Sequence, residues 1–299
     1  MNTYIKATSD IFIHYLFGSE SNKDLLLSFI NAVLEDADMP LISNVEIRNP
    51  FNLKKYHYDK LSIVDIKATD EKGQIYDIEV QSFRDEFYAN RSLYYWAKIY
   101  SDQLKESEGY VELNPVICIN LLDFILIKEL PEVHTCFLAM EKNNHEYALS
   151  DHFKIHFIEL PKFYKKHKGL KEHLDKWVQY FIHEGKEDEK MKYILKSNPI
   201  KKAHDEYIKF SSNDEYREIY EARLKWQRDH NTRIEVARRD GIAKGIAKGI
   251  AKGKAEGKAE GEYAQAVKAA RVMIKKGYDA ELINEVTGLS IEEIKNLSR

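Results

Sequence analysis

The chain has 299 residues and a formal net charge of -3, and 43% of its residues are hydrophobic. This content is sufficient for one sizeable core and a second small domain, and the weak net charge excludes a global basic field that draws the whole protein onto nucleic acid. Two cysteines in apolar segments argue against a disulfide framework, and neither a signal region nor a bilayer-spanning segment is visible, so we expect a cytoplasmic protein with reduced thiols and no membrane partner.

Two helices followed by three strands are predicted in the first part of the chain. Residues 9–17 carry apolar side chains at helical spacing behind Ser9, a good N-cap residue, and a longer helix is predicted to begin at Asn22. Alternation of apolar and polar residues, which is typical of strands, then occurs three times. The three predicted strands are residues 42–50, 61–69 and 74–83.

The next part of the chain predicts a helix and further strands. Residues 86–104 have the pattern of an amphipathic helix that packs on a sheet, and residues 115–121 have the pattern of a buried strand. Two more apolar segments, 134–140 and 153–160, are predicted strands before Pro161. The order is therefore α, β, β, β, α, β with added strands, which predicts an α/β fold.

The C-terminal part of the chain is predicted to be helical. A helical extension at residues 166–240 precedes the repeat GIAKGIAKGIAKGKAEGKAEG at residues 241–261, in which glycine recurs at every fourth position. Each glycine costs a helix about 1 kcal/mol relative to alanine, and each four-residue step moves about 40° further around the helix. The repeat is therefore predicted to be a hinge or a helix that forms only against a partner, with close helix packing through the small residues as the alternative.

A small helical unit is predicted at residues 262–299. Two short helices are separated by residues 287–289, and Ser290 and Glu293 have the spacing of a capping box. The unit is similar to a helix-turn-helix, but its last helix is acidic at its start, where a recognition helix meets DNA. We therefore interpret the unit as a protein-interaction or packing element.

The second and third predicted strands form a hairpin with carboxylates on one face. Residues 70–73 are typical of a tight turn with glycine in the left-handed position, and that turn places Asp65 opposite Glu79. Carboxylates whose Cβ atoms are about 5 Å apart repel each other unless a cation lies between them, and Mg²⁺ or Mn²⁺ is the economical candidate. The other interpretation is that the acids are solvated and neutralised by Lys67 or Lys72.

Three segments occur together in an order that is typical of a known family. They are DIFIHYLFGSESNKDLLLSFINAVL, IVDIKATDEKGQIYDIEVQ and RSLYYWAKIYSDQL. Through them the chain resembles the recombination-promoting nuclease/putative transposase family of the PD-(D/E)XK nuclease superfamily, over about residues 5–160 and in its repetitive tail. The resemblance implies a restriction-endonuclease-like αβββαβ core with a mixed central sheet flanked by helices, and a nuclease-like domain over residues 1–165 before the helical C-terminal region.

The resemblance also assigns roles to individual residues. It implies that Asp65 and Glu79 are catalytic residues and ligands of Mg²⁺ or Mn²⁺, with the backbone carbonyl of Val80 as a further ligand. Gln81 is implied to be catalytic and stands where the superfamily has a lysine, although glutamine supplies hydrogen bonds and no positive charge. Asp10 matches the acid that opens the family pattern and is implied to hold a metal-bound water; its other interpretation is a carboxylate that helps to cap the first helix.

The predicted helix after the hairpin is a candidate nucleic-acid surface. Arg91 and Tyr95 are four residues apart and share a face, where they are expected to contact backbone phosphate or stack on bases. The other interpretation is that this pair covers the sheet. His152 and His156 flank a predicted strand, and without a third ligand nearby we interpret both as structural.

These observations lead to one main functional hypothesis. We expect a Mg²⁺-dependent endodeoxyribonuclease that hydrolyses phosphodiester bonds in DNA, linked to recombination or mobile elements by family analogy. The first alternative is a non-catalytic nucleic-acid or protein-binding module with a degenerate nuclease site. The second alternative is a regulator that acts through its tail on the N-terminal domain. DNA is the expected partner, and the C-terminal helical tail is the candidate route to a homo-oligomer.

Overall fold

The structure is a computed structural model that describes residues 4–49, 66–105, 107, 109–164, 169–186 and 189–298, without the side chains of residues 189 and 190. Asp65 and the first part of the second predicted strand lie outside the described residues. Contacts between residues divide the chain into two compact units, Met1–Leu224 and Lys225–Arg299. The finer boundaries expected at residues 165, 240 and 261 stay a prediction.

Six strands form one sheet in the first unit. They are β1 Val45–Ile47, β2 Ile66–Asp70, β3 Ile75–Gln81, β4 Val116–Leu122, β5 His134–Leu138 and β6 Phe153–Glu159. The order across the sheet is β1-β2-β3-β4-β6-β5. The first three strands are mutually antiparallel, β3, β4 and β6 are parallel, and β5 is antiparallel to β6. The predicted mixed central sheet with added strands is therefore confirmed.

The helices flank this sheet and continue to the C-terminus. Those in the described parts of the chain are α1 Asp10–Gly18, α2 Lys23–Asp36, α3 Tyr88–Ser101, α4 Glu172–His183, α5 Glu189–Ile194, α6 Asn198–Ser212, α7 Asp214–Lys275, α8 Ala280–Thr287 and α9 Ile291–Leu297. Ser9 is the N-cap residue of α1, as predicted, although its side chain makes no capping hydrogen bond. Within the described residues, no helix combines the length and the apolar character that crossing a membrane requires.

The main core lies on one face of the sheet, beneath α1, α2 and α4. Alternate residues of β2 and β3, including Ile66, Tyr76 and Ile78, are fully buried there. They pack with large side chains from the helices, among them Phe17 of α1 and Trp177 of α4. Removing this apolar surface from water is the main stabilising contribution to the fold.

A second and smaller core lies on the opposite face of the sheet, beneath α3. The alternation of side chains along β4 shows the two faces, because Ile119 lies in the main core whereas Cys118 packs in the second core with Tyr88 of α3 and Phe157 of β6. The same two-residue period places Glu79, which follows a main-core residue of β3, on the face that α3 covers. The candidate catalytic acid is therefore held between the sheet and a helix.

The hairpin between β2 and β3 has the predicted geometry over its described part. Ile66 pairs with Ile78 and Lys67 pairs with Asp77, in the register that the predicted turn requires. Gly73 has a φ of 83°, the left-handed conformation that glycine adopts without steric cost. The predicted turn and register are confirmed, and the pairing of Asp65 with Glu79 stays a prediction.

The glycine-rich repeat lies inside one continuous helix. Residues 241–261 belong to α7. The prediction of a hinge is therefore wrong, because the repeat is helical throughout. Ala, Lys and Glu, which have high helix propensity, fill most of the positions between the glycines, and isoleucine occupies the others. The ion pairs Lys252–Glu256 and Lys258–Glu262 connect successive turns. Formation of this helix only against a partner stays a prediction.

The terminal helices pack on the end of α7 in the second unit. Ile283 of α8 and Ile294 of α9 are buried in a small core there. Gly288, with a φ of 71°, ends α8. Ser290 and Glu293 form the predicted capping box at the start of α9. The two predicted short helices and the connection between them are confirmed.

Candidate functional site

Glu79 is a buried carboxylate near the C-terminal end of β3. It is 5% exposed and lies beside Asn120 of β4, which is 1% exposed, in the parallel register of the two strands. Burying a carboxylate is unfavourable unless charged or hydrogen-bonding groups compensate for the lost water. The contacts of Glu79 therefore define the candidate site.

Tyr88, at the start of α3, connects Glu79 to Asn120. Its hydroxyl oxygen lies 3.0 Å from Oε2 of Glu79 and 3.1 Å from Oδ1 of Asn120. The amide nitrogen Nδ2 of Asn120 donates to the backbone carbonyl of His156 at 3.0 Å, which fixes the amide so that its oxygen points toward Tyr88. A hydroxyl carries one proton, so Tyr88 donates to one of these two acceptors at a time. The tyrosine thus orients the carboxylate and couples it to β4.

Arg91, one turn further along α3, supplies a positive charge to the same carboxylate. Its Nη2 atom lies 3.7 Å from Oε2 of Glu79, and its side chain is 32% exposed. The guanidinium carbon lies 5.4 Å from the ring centroid of Tyr88 and 5.6 Å from that of Tyr95. Arg91 and Tyr95 share a face, as their spacing predicts. Cation–π attraction to both rings restrains the guanidinium beside Glu79.

The two predicted site residues that follow Glu79 along β3 have different surroundings. Gln81 is partly exposed, and its amide nitrogen Nε2 donates to the backbone carbonyl of Phe83 at 3.2 Å. Val80 pairs with Leu121 of β4, and its side chain packs against the main core. Gln81 therefore lies at the exposed end of the strand, two residues beyond the buried acid on the same face.

Asp10 is engaged at the start of α1. Its Oδ1 atom accepts a hydrogen bond from the backbone N–H of Ile11 at 2.8 Å. Its Oδ2 atom forms an ion pair and hydrogen bond with Nε of Arg223. A carboxylate in the first turn of a helix is favourable because the helix N-terminus carries partial positive charge. These contacts agree with the interpretation of Asp10 as a residue that stabilises the helix start, and a role in holding a metal-bound water stays a prediction.

The donors near Glu79 fit a hard divalent cation in their chemistry. A carboxylate and backbone carbonyls are the oxygen ligands that Mg²⁺ prefers, and this ion takes only one or two protein carboxylates and keeps several waters. Among the described residues, however, no group of three or more His, Cys, Asp or Glu side chains is arranged to hold a metal ion. The second carboxylate expected from the sequence, that of Asp65, lies outside the described residues. Glu79 is thus the described half of the predicted ligand pair.

A second chain of polar groups crosses the far side of the sheet. His134 lies with Nδ1 2.7 Å from Oδ2 of Asp36 and with Nε2 3.0 Å from Nδ1 of His156, whose Nε2 lies 3.6 Å from Sγ of Cys136. Burial lowers the pKa of His156 to about 3 and raises the pKa of Cys136 to about 11. His156 is therefore neutral and Cys136 is a protonated thiol at neutral pH, which fits the structural role predicted for this histidine.

Tyr88 and Asn120 are site residues that the sequence analysis did not identify. The signal for Asn120 is a carboxamide in the middle of the most apolar predicted strand, because a buried polar side chain needs a partner. Tyr88 has no comparable signal, since an aromatic residue on the buried face of an amphipathic helix is usually a core residue. Its contact with Glu79 depends on how α3 lies across the sheet.

Comparison with protein families gives two matches. A family model described as PD-(D/E)XK nuclease family transposase matches residues 7–237. A second, described as Rpn/YhgA-like nuclease family, C-terminal HTH domain, matches residues 264–299. No curated protein and no solved structure matches the chain.

The second match, to an HTH domain, corrects the interpretation of the terminal unit as a protein-interaction or packing element. The acidic start of α9 argued against a helix-turn-helix, but Glu293 at this position makes its hydrogen bonds within the unit. Glu293 accepts hydrogen bonds from Ser290 in the capping box and from the hydroxyl of Tyr263 at 3.1 Å, and these bonds hold the pKa of its carboxyl below the usual range. Because its carboxylate makes these bonds within the unit, Glu293 does not argue against a helix-turn-helix.

The first match agrees with the fold, because the mixed sheet with its hairpin and the following helix α3 have the element order that the sequence resemblance implies. The two matches together support a nuclease-like or transposase-like function with DNA as the partner. Since the first match covers more than half of the sequence, the chain belongs to the family described as PD-(D/E)XK nuclease family transposase.

Proposed function

We propose that the protein is a divalent-metal-dependent endodeoxyribonuclease that hydrolyses phosphodiester bonds in DNA, with Glu79 as a catalytic carboxylate. The observation that supports this proposal most directly is the environment of Glu79. The fold buries the carboxylate of Glu79 in β3 and compensates for its lost water with the hydroxyl of Tyr88 and the charge of Arg91. Buried carboxylates with a specific charge partner are concentrated at functional sites.

The proposed metal ligands are the carboxylates of Asp65 and Glu79 and the backbone carbonyl of Val80, with Asp10 as a further residue that holds a metal-bound water. Bound Mg²⁺, or Mn²⁺ in its place, supplies Lewis-acid chemistry that lowers the pKa of a water molecule and neutralises phosphate charge. Tyr88 orients the carboxylate of Glu79 through its hydroxyl. Gln81 presents its amide oxygen as an acceptor that aligns the attacking water, because its amide nitrogen is held by the carbonyl of Phe83.

The C-terminal part of the chain has a supporting role in this proposal. The helix-turn-helix formed by α8 and α9 places the protein on DNA, and α7 with its glycine repeat is the route to self-association. A link to recombination or mobile elements follows from the family description alone. The proposed location is the cytoplasm.

One observation favours a second candidate function. Arg91 already compensates the charge of Glu79 within the described residues, and an acid that is neutralised in this way can be retained for stability alone. On this alternative the protein is a nucleic-acid-binding or protein-binding module with a degenerate nuclease site.

A plasmid-nicking assay with Mg²⁺ or Mn²⁺ decides between the two functions. The variants Asp65→Asn and Glu79→Gln remove one charge each while keeping the shape of the side chain, and Glu112→Gln, at an exposed position of the same unit, is the matched control. We expect metal-dependent nicking by the wild type and the control, and nicking at the metal-free background rate by both site variants. Equal nicking by wild type and both site variants identifies a contaminant or another site, and metal-independent binding without nicking supports the alternative.

A further inference from the structure

The positive charge of Arg91 lies beside the proposed catalytic carboxylate. It is the described cation that pairs with Glu79, and it approaches this carboxylate with one of its terminal nitrogens, Nη2, at 3.7 Å. About a third of its side chain remains exposed, so the guanidinium lies between the buried acid and the surface. A guanidinium has five N–H groups in a planar fork, so one edge can contact a carboxylate while the other contacts a phosphate oxygen.

The guanidinium of Arg91 is also held in position. The ring of Tyr88 lies on one side of it and the ring of Tyr95 lies within a similar distance, at 5.4 and 5.6 Å from the guanidinium carbon. Tyr88 is itself fixed by its hydroxyl contacts and by full burial. A preorganised charge stabilises a transition state more than a mobile one, because no reorganisation is needed during the reaction.

We propose that Arg91 is a catalytic residue that binds the scissile phosphate and stabilises the negative charge that develops on it. The inference rests on the proposed nuclease function and adds to it a residue outside the hairpin. In the hydrolysis a water oxygen forms a bond to phosphorus and the bond from phosphorus to one sugar oxygen breaks. One water proton reaches the leaving sugar oxygen through solvent, and the other stays with the new phosphate monoester or passes to solvent. The non-bridging oxygens gain charge during attack, and the partly exposed side chain of Arg91, 3.7 Å from Glu79, stabilises that charge.

The neighbouring side chain on β3 explains why this role falls to Arg91. Gln81 is neutral and donates its amide hydrogen to the backbone carbonyl of Phe83. It occupies the same face of the strand as Glu79, two residues further on, and so lies next to the proposed phosphate position. A positive charge is therefore supplied from α3 rather than from the strand, and a lysine introduced at position 81 is placed to supply it from the strand.

The test compares four variants of the full chain in the plasmid-nicking assay. Arg91→Ala removes the charge and the stacking, Arg91→Lys keeps the charge, and Gln81→Lys with Arg91→Ala moves the charge to the strand. Lys142→Ala removes an exposed charge elsewhere in the same unit and is the control. Loss of a preorganised donor to a transition state lowers kcat by about 10²–10³-fold. We expect that loss in Arg91→Ala with little change in KM, wild-type rates in Lys142→Ala, partial recovery in Arg91→Lys, and recovery of at least about 10-fold in the double variant.

A second measurement separates catalysis from simple attachment to DNA. Fluorescence anisotropy with a labelled DNA duplex in the presence of EDTA reports affinity without turnover, and we expect Arg91→Ala to bind the duplex nearly as well as the wild type. Nicking by Arg91→Ala at the wild-type rate overturns the inference and leaves the proposed function intact. A defect confined to KM and duplex affinity also overturns it, because Arg91 then only attaches DNA, and so does the absence of recovery in both charge-restoring variants. If the wild type does not nick DNA at all, the proposed function fails and this inference fails with it.

Discussion

The contact between Tyr88 and Glu79 makes a quantitative prediction about stability. The substitution Tyr88→Phe removes the hydroxyl that lies 3.0 Å from Oε2 of Glu79 and 3.1 Å from Oδ1 of Asn120. The ring remains and keeps its edge contacts with Phe124 and Phe157, at centroid distances of 6.0 and 6.5 Å. The variant therefore tests the hydrogen bond and not the packing of the second core.

The expected magnitude follows from the chemistry of the hydroxyl. A hydrogen bond to a charged group contributes about 1.5–3 kcal/mol to stability. Because the hydroxyl has one proton, the variant loses one such bond and not two. We expect the free energy of unfolding to fall by about 2 kcal/mol, which corresponds to a decrease in Tm of about 4–8 °C for a unit of this size.

The assay is urea unfolding followed by tryptophan fluorescence, since Trp96 and Trp177 both lie in the first unit. Tyr94→Phe is the matched control, because it removes a hydroxyl from the same helix at a residue that is 63% exposed. We expect the control to unfold at the wild-type urea concentration. Tyr88→Phe with wild-type stability refutes the assignment of this hydrogen bond.

A double-mutant cycle identifies the acceptor of the Tyr88 proton. If the proton is donated to Glu79, Tyr88→Phe and Glu79→Gln are coupled by about 1 kcal/mol, because each removes part of the same interaction. Additive effects of these two substitutions, together with coupling between Tyr88→Phe and Asn120→Ala, assign the proton to Asn120 instead.

Two further predictions concern His156 and the glycines of the C-terminal region. Burial lowers the pKa of His156 from 6.5 to about 3, so the unfolded chain takes up this proton first and stability falls as the pH falls from about 6.5 toward 3. At about 1.4 kcal/mol per pH unit, we expect urea unfolding to show a loss of about 2 kcal/mol between pH 6.5 and pH 5 that is absent in His156→Gln; equal pH dependence of both proteins contradicts this. Nothing lies within 4 Å of an added Cβ at Gly245, Gly249 or Gly288, but only Gly288 has a positive φ, of 71°. Substitution by alanine is therefore expected to stabilise the helix by about 1 kcal/mol at Gly245 or Gly249 and to cost about 1–2 kcal/mol at Gly288, measured by thermal melts with far-UV circular dichroism; a shift in the same direction at all three positions contradicts the reasoning.

The fold is predictable from the sequence because local patterns and tertiary structure agree. Apolar alternation at residues 74–83 and the continuous apolar segment at 115–121 correspond to β3 and β4, since half-buried and fully buried strands have these patterns. The turn at Gly73 determines the register of its hairpin locally, so the pairing of Ile66 with Ile78 follows from the sequence alone.

The site is less predictable because its contacts join distant segments. Glu79 is identifiable on the hairpin, but its pairing with Asn120 depends on the register of two parallel strands connected through α3. The approach of Arg91 to Glu79 depends on the rotation of α3 about its axis. Helical spacing alone does not determine whether the face that carries Arg91 packs on the sheet or binds a ligand. The repeat differs from the prediction for another reason: the high helix propensity of the alanine, lysine and glutamate residues between the glycines offsets part of the glycine penalty.

The direction of the parallel strands has a consequence for how binding preference can change in this family. β3, β4 and β6 end at the same edge of the sheet, and Glu79 lies two residues before the end of β3. The segments that leave this edge begin at Ser82, Asp123 and Leu160. Loops accept insertions and exchanges more readily than strands do, so, on the proposed nuclease function, recognition of new DNA shapes evolves in these segments while the scaffold beneath them stays the same.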